Sequence, residues 1–462
     1  MRFARLAGAL AVVLLAASSA FAQFETSTVL GTIRDESGAA APGVTVTLTS
    51  SDTGITQTKV TDGHGNYEFF TVRIGTYRLT AELQGFQPAR VESLRVTVGS
   101  RQRVDLVLSA GQVTEAVEVT AAAAVLERDT SQRSQLITGD QAVALPLNGR
   151  EYSSLALLTT GVRQSALNTG SASTLREGSF NVNGLRSTFN NFLLDGLDNN
   201  AYGTSNQGFS NQVMQPPPDA VAEFRVVTNH LSAEYGRSGG ATLNVAYKSG
   251  TNALHGAAWE FLRDTSLNAT GFFKPVTGEK PPLERHQFGG VIGGPIVKNR
   301  AFFFIDYEGF RQTRKQVAFV TIPTPAQRRG ILTVPVRDPL TGTLYPAGTP
   351  IPMTPFARKV LSGIPDPTNA NAANNYQLLQ EFTNHTDKFS VKVDFQVNPA
   401  LRAFARFGSR EADIFDQPPL PLPSGGSGNG FTYVRNLQIG TGMTWTPSAN
   451  QLLEVRIGFS RT

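Results

Sequence analysis

Apolar and polar residues alternate over residues 388–407, which read KFSVKVDFQVNPALRAFARF. The odd positions from Phe389 to Val397 are apolar, and the even positions around them are polar. After a short Asn-Pro-Ala break, apolar residues again take the odd positions. Because successive side chains of a strand point to opposite faces, this pattern predicts two strands that each have one apolar face. That face contacts either a protein core or lipid.

The same alternation recurs through the second half of the chain. It predicts strands near residues 255–263, 286–297, 301–313, 386–398, 401–413, 431–446 and 452–462. The connections alternate between short (298–300, 399–400, 447–451) and long (264–285, 314–385, 414–430), and the long ones are rich in Pro, Gly and Asn. Tight turns at one end and long loops at the other are typical of an outer-membrane β-barrel.

Strands of about 9–13 residues also suit a tilted crossing of the hydrocarbon layer. We therefore predict that the apolar face contacts lipid over residues 254–462, the first strands of an incomplete antiparallel barrel. The aromatic residues near the strand ends would form interfacial girdles, namely Trp259, Tyr307, Phe310 and Trp445. The alternative is an exported soluble β adhesin or carbohydrate-binding protein, in which the same face packs into a core.

Residues 24–110 contain about seven short alternating segments separated by turn residues such as Asp62, Gly63 and Gly65. This spacing predicts an immunoglobulin-like β-sandwich. The segment resembles the carboxypeptidase regulatory-like domain, which implies a noncatalytic module. The resemblance is carried by Gly31, Asp35, Gly38, Pro42–Gly43–Val44, Thr61–Asp62, Gly65, Tyr67, Phe69, Gly75, Tyr77, Leu79 and Gly85–Phe86.

Residues 111–125 combine a short strand-forming run with an alanine-rich linker. A strand with a free backbone edge can pair with the sheet of another protein. The run resembles the TonB box, the energy-coupling peptide of TonB-dependent receptors. The resemblance implies that TonB binds Glu115, Ala116, Val117, Glu118, Val119, Thr120 and Ala121.

Residues 126–253 mix helix-like spacing, strands and turns, which predicts a mixed α/β domain. The span resembles the plug domain of TonB-dependent receptors through the motifs FNVNG, FLLDGL, AVAEFRVVTN and AEYGRSGGATLNVAYKSGTN. The preceding sandwich and the PLNGR motif are similar to the Oar-like branch of that family. The resemblance implies a mainly β receptor that takes up an unidentified substrate by energy coupling to the inner-membrane TonB complex.

Three plug residues could face the ligand or could stabilise turns, namely Arg186, Asp195 and Asp198. Asp195 and Asp198, with Asn199 and Asn200, could also ligate calcium, although Asp and Asn are ordinary turn residues. The seven predicted strands are about a third of the roughly 22 that a plugged transporter needs. We therefore expect the chain to be the N-terminal part of a receptor.

Composition excludes several other classes of protein. The chain has 462 residues and no cysteine, which rules out disulfides and thiolate chemistry.

Residues 1–22 are typical of a signal peptide cut after Ala22, so we expect the chain to be exported. Together with the predicted barrel strands, export predicts a location in the outer membrane, beside lipid and lipopolysaccharide. The five histidines lack H-E-x-x-H spacing, and Gly236–Gly240 fits G-x-S-x-G without a following helix. We predict no enzyme activity, no cofactor, no metal and no nucleic-acid partner.

Overall fold

The computed structural model describes residues 27–111, 117–118, 130–165, 179–201, 211–231, 236, 239–275, 278–421, 425, 430–448 and 451–462. The predicted signal peptide and all but Val117–Glu118 of the coupling segment lie outside these residues. Among the described residues, no helix is both long and apolar enough to cross a membrane.

The N-terminal unit is an immunoglobulin-like sandwich, as predicted. Its strands are β1 (Ser27–Asp35), β2 (Thr45–Ser50), β3 (Thr56–Val60), β4 (Asn66–Val72), β5 (Gly75–Glu82), β6 (Ala89–Val96), β7 (Arg101–Arg103) and β8 (Leu106–Leu108). One sheet has the order β4-β1-β7, with β8 also paired to β1, and the other has the order β3-β2-β5-β6. Alternate residues such as Val46, Leu48 and Leu79 are fully buried between the sheets, because each strand turns one face inward.

A two-residue strand, β9 (Val117–Glu118), extends the second sheet of the sandwich. It runs parallel to β6, with Val117 opposite Ala89 and Glu118 opposite Arg90. The predicted coupling segment therefore contributes an edge strand to the sandwich.

The middle unit is a mixed α/β domain around one five-stranded sheet. Its elements are β10 (Arg133–Thr138), α1 (Gly139–Ala144), β11 (Val162–Gln164), β12 (Phe180–Val182), β13 (Asn191–Leu194), β14 (Leu197–Asp198), β15 (Val221–Asn229) and β16 (Thr242–Tyr247). The sheet order is β10-β15-β16-β13-β14. Within the described part of this unit, 3₁₀ turns lie at Tyr152–Leu158, Ser187–Phe189 and Pro218–Ala220. Helix α1 begins after Thr138, whose side chain forms a capping box with Gln141.

The C-terminal unit is an antiparallel sheet with seven long strands in chain order. Its elements are β17 (His255–Asp264), β18 (Leu283–Val297), β19 (Ala301–Val320), α2 (Pro325–Arg328), β20 (Val336–Arg337), β21 (Leu344–Tyr345), α3 (Pro355–Ser362), β22 (Tyr376–Asn398), β23 (Leu401–Asp416), β24 (Gly430–Ser448) and β25 (Gln451–Arg461). The sheet order is β17-β18-β19-β22-β23-β24-β25, and it does not close among the described residues. Strands β20 and β21 form a small hairpin in the loop after β19.

All seven long strands lie where the alternation places them, but several are longer than predicted. Strand β19 has 20 residues and β22 has 23. The extra residues extend these strands into the segments that the sequence suggested were long loops. Polar residues there, such as Thr383 and Asn384, continue the ladder by pairing with Thr313 and Gln312. Pairing needs only backbone groups, so a loss of apolar alternation does not end a strand.

The two faces of the sheet have opposite character. On β22 the odd residues Phe389, Phe395 and Val397 are exposed on the outer face. The even residues Lys388 and Lys392 are buried on the inner face. The polar face therefore lies inward, against the middle unit, and the apolar face lies outward.

Candidate plug–barrel interface

The tight turn between β13 and β14 directs Asp195 towards the seven-stranded sheet. Asp195 has a positive φ of 51°, a conformation that Asp tolerates in turns. Its N–H donates to the Val245 carbonyl at 2.9 Å, and its side chain accepts the Tyr247 N–H at 2.9 Å. These bonds fix the carboxylate on β16 of its own domain, with no solvent exposure.

The same residue binds three strands of the seven-stranded sheet. Its carboxylate lies 3.0 Å from Lys392 Nζ on β22 and 3.0 Å from Arg406 Nε on β23. Its backbone carbonyl accepts a hydrogen bond of 2.8 Å from Arg456 on β25. We call Asp195, Lys392, Arg406 and Arg456 the Asp195 lock. Since the ion-paired residues Asp195, Lys392 and Arg406 are each no more than 3% exposed, solvent screens their attraction only weakly.

A tyrosine hydroxyl adds a second contact beside the Asp195 lock. The Tyr247 hydroxyl donates to Asp306 on β19, and the Arg406 guanidinium lies 5.7 Å from the Tyr247 ring centre. Burial raises the pKa of Tyr247 well above its usual value, and the nearby Asp306 charge raises it further. The hydroxyl therefore keeps its proton and remains a hydrogen-bond donor at physiological pH.

A second ion-pair group lies around Arg150. Its guanidinium pairs with Asp219 of the middle unit and lies 3.3 Å from Glu308 on β19. Glu308 is also 3.3 Å from Lys388 on β22. We call these four residues the Arg150 cluster. It joins the middle unit to two further positions on the polar face of the sheet.

Aromatic residues of β17 cover the Arg150 guanidinium. It lies 5.0 Å from the Trp259 ring centre and 4.5 Å from that of Phe261, within the range of cation–π attraction. The prediction that Trp259 belongs to an outer aromatic girdle is therefore wrong. Its ring packs inward because Arg150 offers a cationic partner there. Tyr307 and Trp445 are instead substantially exposed.

Shape complementarity accompanies the charge pairs. Leu197, the first residue of β14, packs against Gly440 on β24 and Gly458 on β25. A Cβ atom at Gly440 would lie 2.2 Å from Leu197 Cδ1. Gln438 and Asn436 also donate to the carbonyls of Asp198 and Val213 at 3.0 and 2.8 Å. Small and amide-bearing residues on the sheet therefore accommodate the surface of the middle unit.

The structure separates the three ligand candidates that the sequence grouped together. Arg186 is exposed at the start of the 3₁₀ turn Ser187–Phe189, and Asp198 is exposed beside Asn200, whose N–H it accepts at 2.8 Å. Asp195 is buried in the lock. All three lie in or beside turns, and Asn199 is committed to the backbone of Met214.

Among the described residues, no group of three or more His, Asp and Glu is placed to hold a metal ion. Ser238 of the G-x-S-x-G pattern and most of the coupling segment lie outside those residues.

The sequence singled out Asp195 as a ligand or turn residue, but it predicted neither the partners of Asp195 on the sheet nor the Arg150 cluster. Lys388, Lys392 and Arg406 occupy the polar side of the alternating pattern, so their inward direction could have been anticipated. The pairing of these cations with Asp195 and Glu308 could not be anticipated, because the partners are distant in the chain. The only signal in the sequence was the large number of charged residues on the inward face of these strands.

The arrangement defines a class of protein: a membrane β-sheet whose polar inner face holds a plug, preceded by a small sandwich. Three family models match consecutive parts of the chain. They are the carboxypeptidase regulatory-like domain over residues 28–109, the TonB-dependent receptor plug domain over 115–242 and an outer membrane beta barrel domain over 246–462. The chain belongs to the TonB-dependent receptors of the outer membrane.

One curated relative is the TonB-dependent transporter Oar of Myxococcus xanthus. It is 30% identical over 312 residues, which are 64% of this chain and 27% of that protein. The chain therefore spans about a quarter of the length of this relative. Two solved structures with similar folds are the outer membrane transporter YddB of Escherichia coli and the ferric enterobactin receptor of Pseudomonas aeruginosa. YddB has a TM-score of 0.44 and 11% identity over 71% of this chain and 38% of that one. The second has a TM-score of 0.42 and 13% identity over 71% and 40%.

With the family established, the middle unit is a plug and the seven-stranded sheet is barrel wall. The exposed apolar face of that wall is its lipid-facing surface, which answers the question raised by residues 388–407. The fold class predicted from the alternation and the resemblance is confirmed.

Proposed function

We propose that this chain acts in TonB-dependent uptake of a substrate across the outer membrane. The observation that carries the proposal is the plug held against the inner face of the barrel wall by the Asp195 lock and the Arg150 cluster. Buried ion pairs of this kind add little net stability, but they select one arrangement over others. A plug attached through a few such sites can be displaced as a unit when they are broken.

The force would enter through Glu115–Ala121, which only the short linker 122–125 separates from the plug in the chain. A periplasmic TonB protein would bind this segment by adding a strand, so that backbone hydrogen bonds supply affinity. Traction on the bound segment would then move the plug and open a path for the substrate. The chain would perform no chemistry on the substrate.

The substrate would bind at the plug surface and the long outer loops. Arg186 and Asp198 are our candidates for ligand contacts, because both are exposed. Asp195 is the third residue that the sequence suggested as a ligand contact. Because it is buried against the barrel wall, it would affect substrate binding only by positioning the plug. Basic residues in the outer loops would face lipopolysaccharide, whose phosphate groups are anionic.

Transport also requires strands that pair with the outer edges of β17 and β25. Among the described residues the sheet is open at both. Unpaired backbone groups are costly in lipid, so a working barrel must close. We propose that this chain forms the first part of a longer barrel.

The test uses the periplasmic domain of TonB and the protein in native outer membranes. Replacing Val119 by proline removes a backbone N–H from the coupling segment and should abolish binding. The matched control is Val125→Pro, which makes the same change outside the segment and should bind normally. Equal binding by both variants would contradict the assignment of Glu115–Ala121. Release of the protein from membranes without detergent would instead favour the soluble adhesin.

A further inference from the structure

The sandwich contacts both the plug and the short-turn end of the barrel wall. On the plug side, Arg225 of β15 donates to the Val98 carbonyl at 2.7 Å and to the Thr97 hydroxyl at 3.2 Å. The Glu223 carboxylate, also on β15, accepts the Val98 N–H. Arg225, Glu223 and Val98 are each no more than 5% exposed. One plug strand is thus bonded to the loop that follows β6.

On the barrel side, the end of β4 and the residue that follows it each make one contact. The Arg73 guanidinium lies 2.9 Å from the Asp394 carboxylate on β22, and Asp394 is almost fully buried. Arg402 on β23 donates to the Thr71 carbonyl. Thr71 has a positive φ of 54°, which turns that carbonyl away from regular strand pairing. These contacts attach the sandwich to two neighbouring barrel strands.

A third contact occurs where the plug joins the barrel. The Asn252 N–H donates to the Asp52 carbonyl at 3.1 Å, and its side-chain amide donates to the Thr53 carbonyl at 2.9 Å. The same amide lies 2.6 Å from Asn299 Oδ1, in the short turn between β18 and β19. Asn252 therefore links the sandwich to a barrel turn.

These three contacts surround a cleft of about 640 Å³ that sandwich, plug and barrel residues line together. Arg73, Tyr77, Lys248 and Phe302 are among the residues that line it. The sandwich is thus held at discrete polar sites around an open space rather than by a continuous apolar interface. Polar interfaces of this kind between domains permit relative motion.

We propose that the sandwich is a clamp that fastens plug strand β15 to the short-turn rim of the barrel. Strand β6 pairs with Val117–Glu118 of the coupling segment, and the chain after β6 reaches Thr97 and Val98. Force on that segment would therefore load the sandwich before the plug. The effect of the clamp on an applied force rests on the proposed function. The attachment of the plug to the barrel rim through the sandwich does not.

The experiment measures hydrogen–deuterium exchange of the full chain in outer-membrane vesicles, without TonB or substrate. Replacing Arg73 by alanine removes a barrel contact and should speed exchange several-fold at residues 97–100 and in β15. These amides lie where the sandwich contacts the plug rather than at Arg73, so faster exchange there reports release of the clamp. Asn252→Ala should produce the same pattern from the third contact.

Two controls separate the clamp from a local or folding defect. Arg78→Ala breaks an exposed ion pair with Glu92 within the sandwich and should leave β15 unchanged. Arg73→Lys keeps the charge near Asp394 and should restore most of the protection. Exchange that rises only around residue 73 or 252, with β15 as in the parent protein, would overturn the clamp. Because the measurement involves no TonB, its failure is distinct from failure of the proposed transport.

Discussion

At the scale of single residues, the plug is positioned by a few carboxylates with several partners each. Asp195 accepts from Tyr247 within the plug and pairs with Lys392 and Arg406 on the barrel wall. Removing one member of a buried ion-pair group leaves the others without compensation. Such residues therefore matter more for where the plug sits than for its own folding.

Replacing Asp195 by asparagine should weaken plug docking by about 3–5 kcal/mol, the usual cost of breaking a buried ion pair. Asparagine keeps an acceptor for the Tyr247 N–H but removes the negative charge that pairs with Lys392 and Arg406. Hydrogen–deuterium exchange of the β13 backbone amides measures the change in the free energy of docking. Asp198→Asn is the matched control: the residue is exposed, so we expect a change within about 0.5 kcal/mol. Equal effects of both substitutions would show that the lock contributes nothing.

Glu223 predicts a pH dependence of the contact between sandwich and plug. Burial raises the pKa of Glu223 above its ordinary 4.5, and the Val98 N–H, Arg95 and Arg225 offset only part of that rise. The docked state then binds a proton more tightly than the undocked state. The stability of docking is therefore greatest below pH 4.5 and falls as the pH rises through the docked pKa.

Urea unfolding of the sandwich across this pH range should show that slope, and Glu223→Gln should remove it. Glutamine keeps a carbonyl oxygen to accept the Val98 N–H but does not titrate. The two nearby arginines remain charged throughout, so they contribute no slope of their own. A slope that survives in the glutamine variant would assign the pH dependence to another group.

At the scale of elements, the barrel strands combine two surfaces with opposite requirements. Strand β25 exposes Val455, Ile457 and Phe459, whereas Arg456 points inward to the plug. Their order is dictated by the alternation of side chains along a strand. A shift by one residue would place arginine in lipid and isoleucine against Asp195, so the register of β25 is strongly specified.

Replacing Ile457 by lysine should reduce the folded fraction in the outer membrane, because a charge in the middle of the lipid costs about 2–4 kcal/mol. Ile457 is 65% exposed, and Val60 in the sandwich is 63% exposed. Val60→Lys makes the same kind of change in water, where we expect a change within about 0.5 kcal/mol. The fraction that resists heat denaturation in membranes measures both variants. Similar losses in the two would contradict lipid contact at Ile457.

At the scale of the whole molecule, the three units meet at the segment that leads from the plug into β17. Gly250 lies there against the backbone of two barrel strands. A Cβ atom at this position would be 2.3 Å from the Phe303 carbonyl oxygen and 2.4 Å from that of Gly294. Neither backbone atom can move without disturbing the ladder between β18 and β19. Only glycine permits this approach.

Replacing Gly250 by alanine should therefore destabilise the plug–barrel junction by about 1–3 kcal/mol, the usual cost of forced overpacking. Thermal unfolding in detergent micelles measures the effect. Gly271→Ala is the matched control, because no atom lies within 4 Å of a Cβ placed there. A junction that tolerates both substitutions equally would mean that the segment is less tightly packed than the structure shows.

The seven long strands of the barrel wall, the polar and apolar character of their two faces and the order of the three units were predictable from the sequence. The period of two in residues 388–407 reports a physical requirement that acts on neighbouring residues, since each strand must present an apolar side to lipid. The turn residues of the sandwich act locally in the same way. Strand ends were less predictable, because backbone pairing continues in β19 and β22 after the apolar pattern stops.

Only the tertiary structure decided which inward charges meet. Asp195 and Arg406 are 211 residues apart, and Arg150 and Glu308 are 158 apart. No local pattern records such pairs, because each depends on how the plug is seated within the wall. The inward stacking of Trp259 on Arg150 and the attachment of the sandwich through Arg73 and Arg225 were hidden for the same reason. Local periodicity thus determined the elements, whereas long-range charge and packing determined how the sandwich, plug and barrel wall are joined.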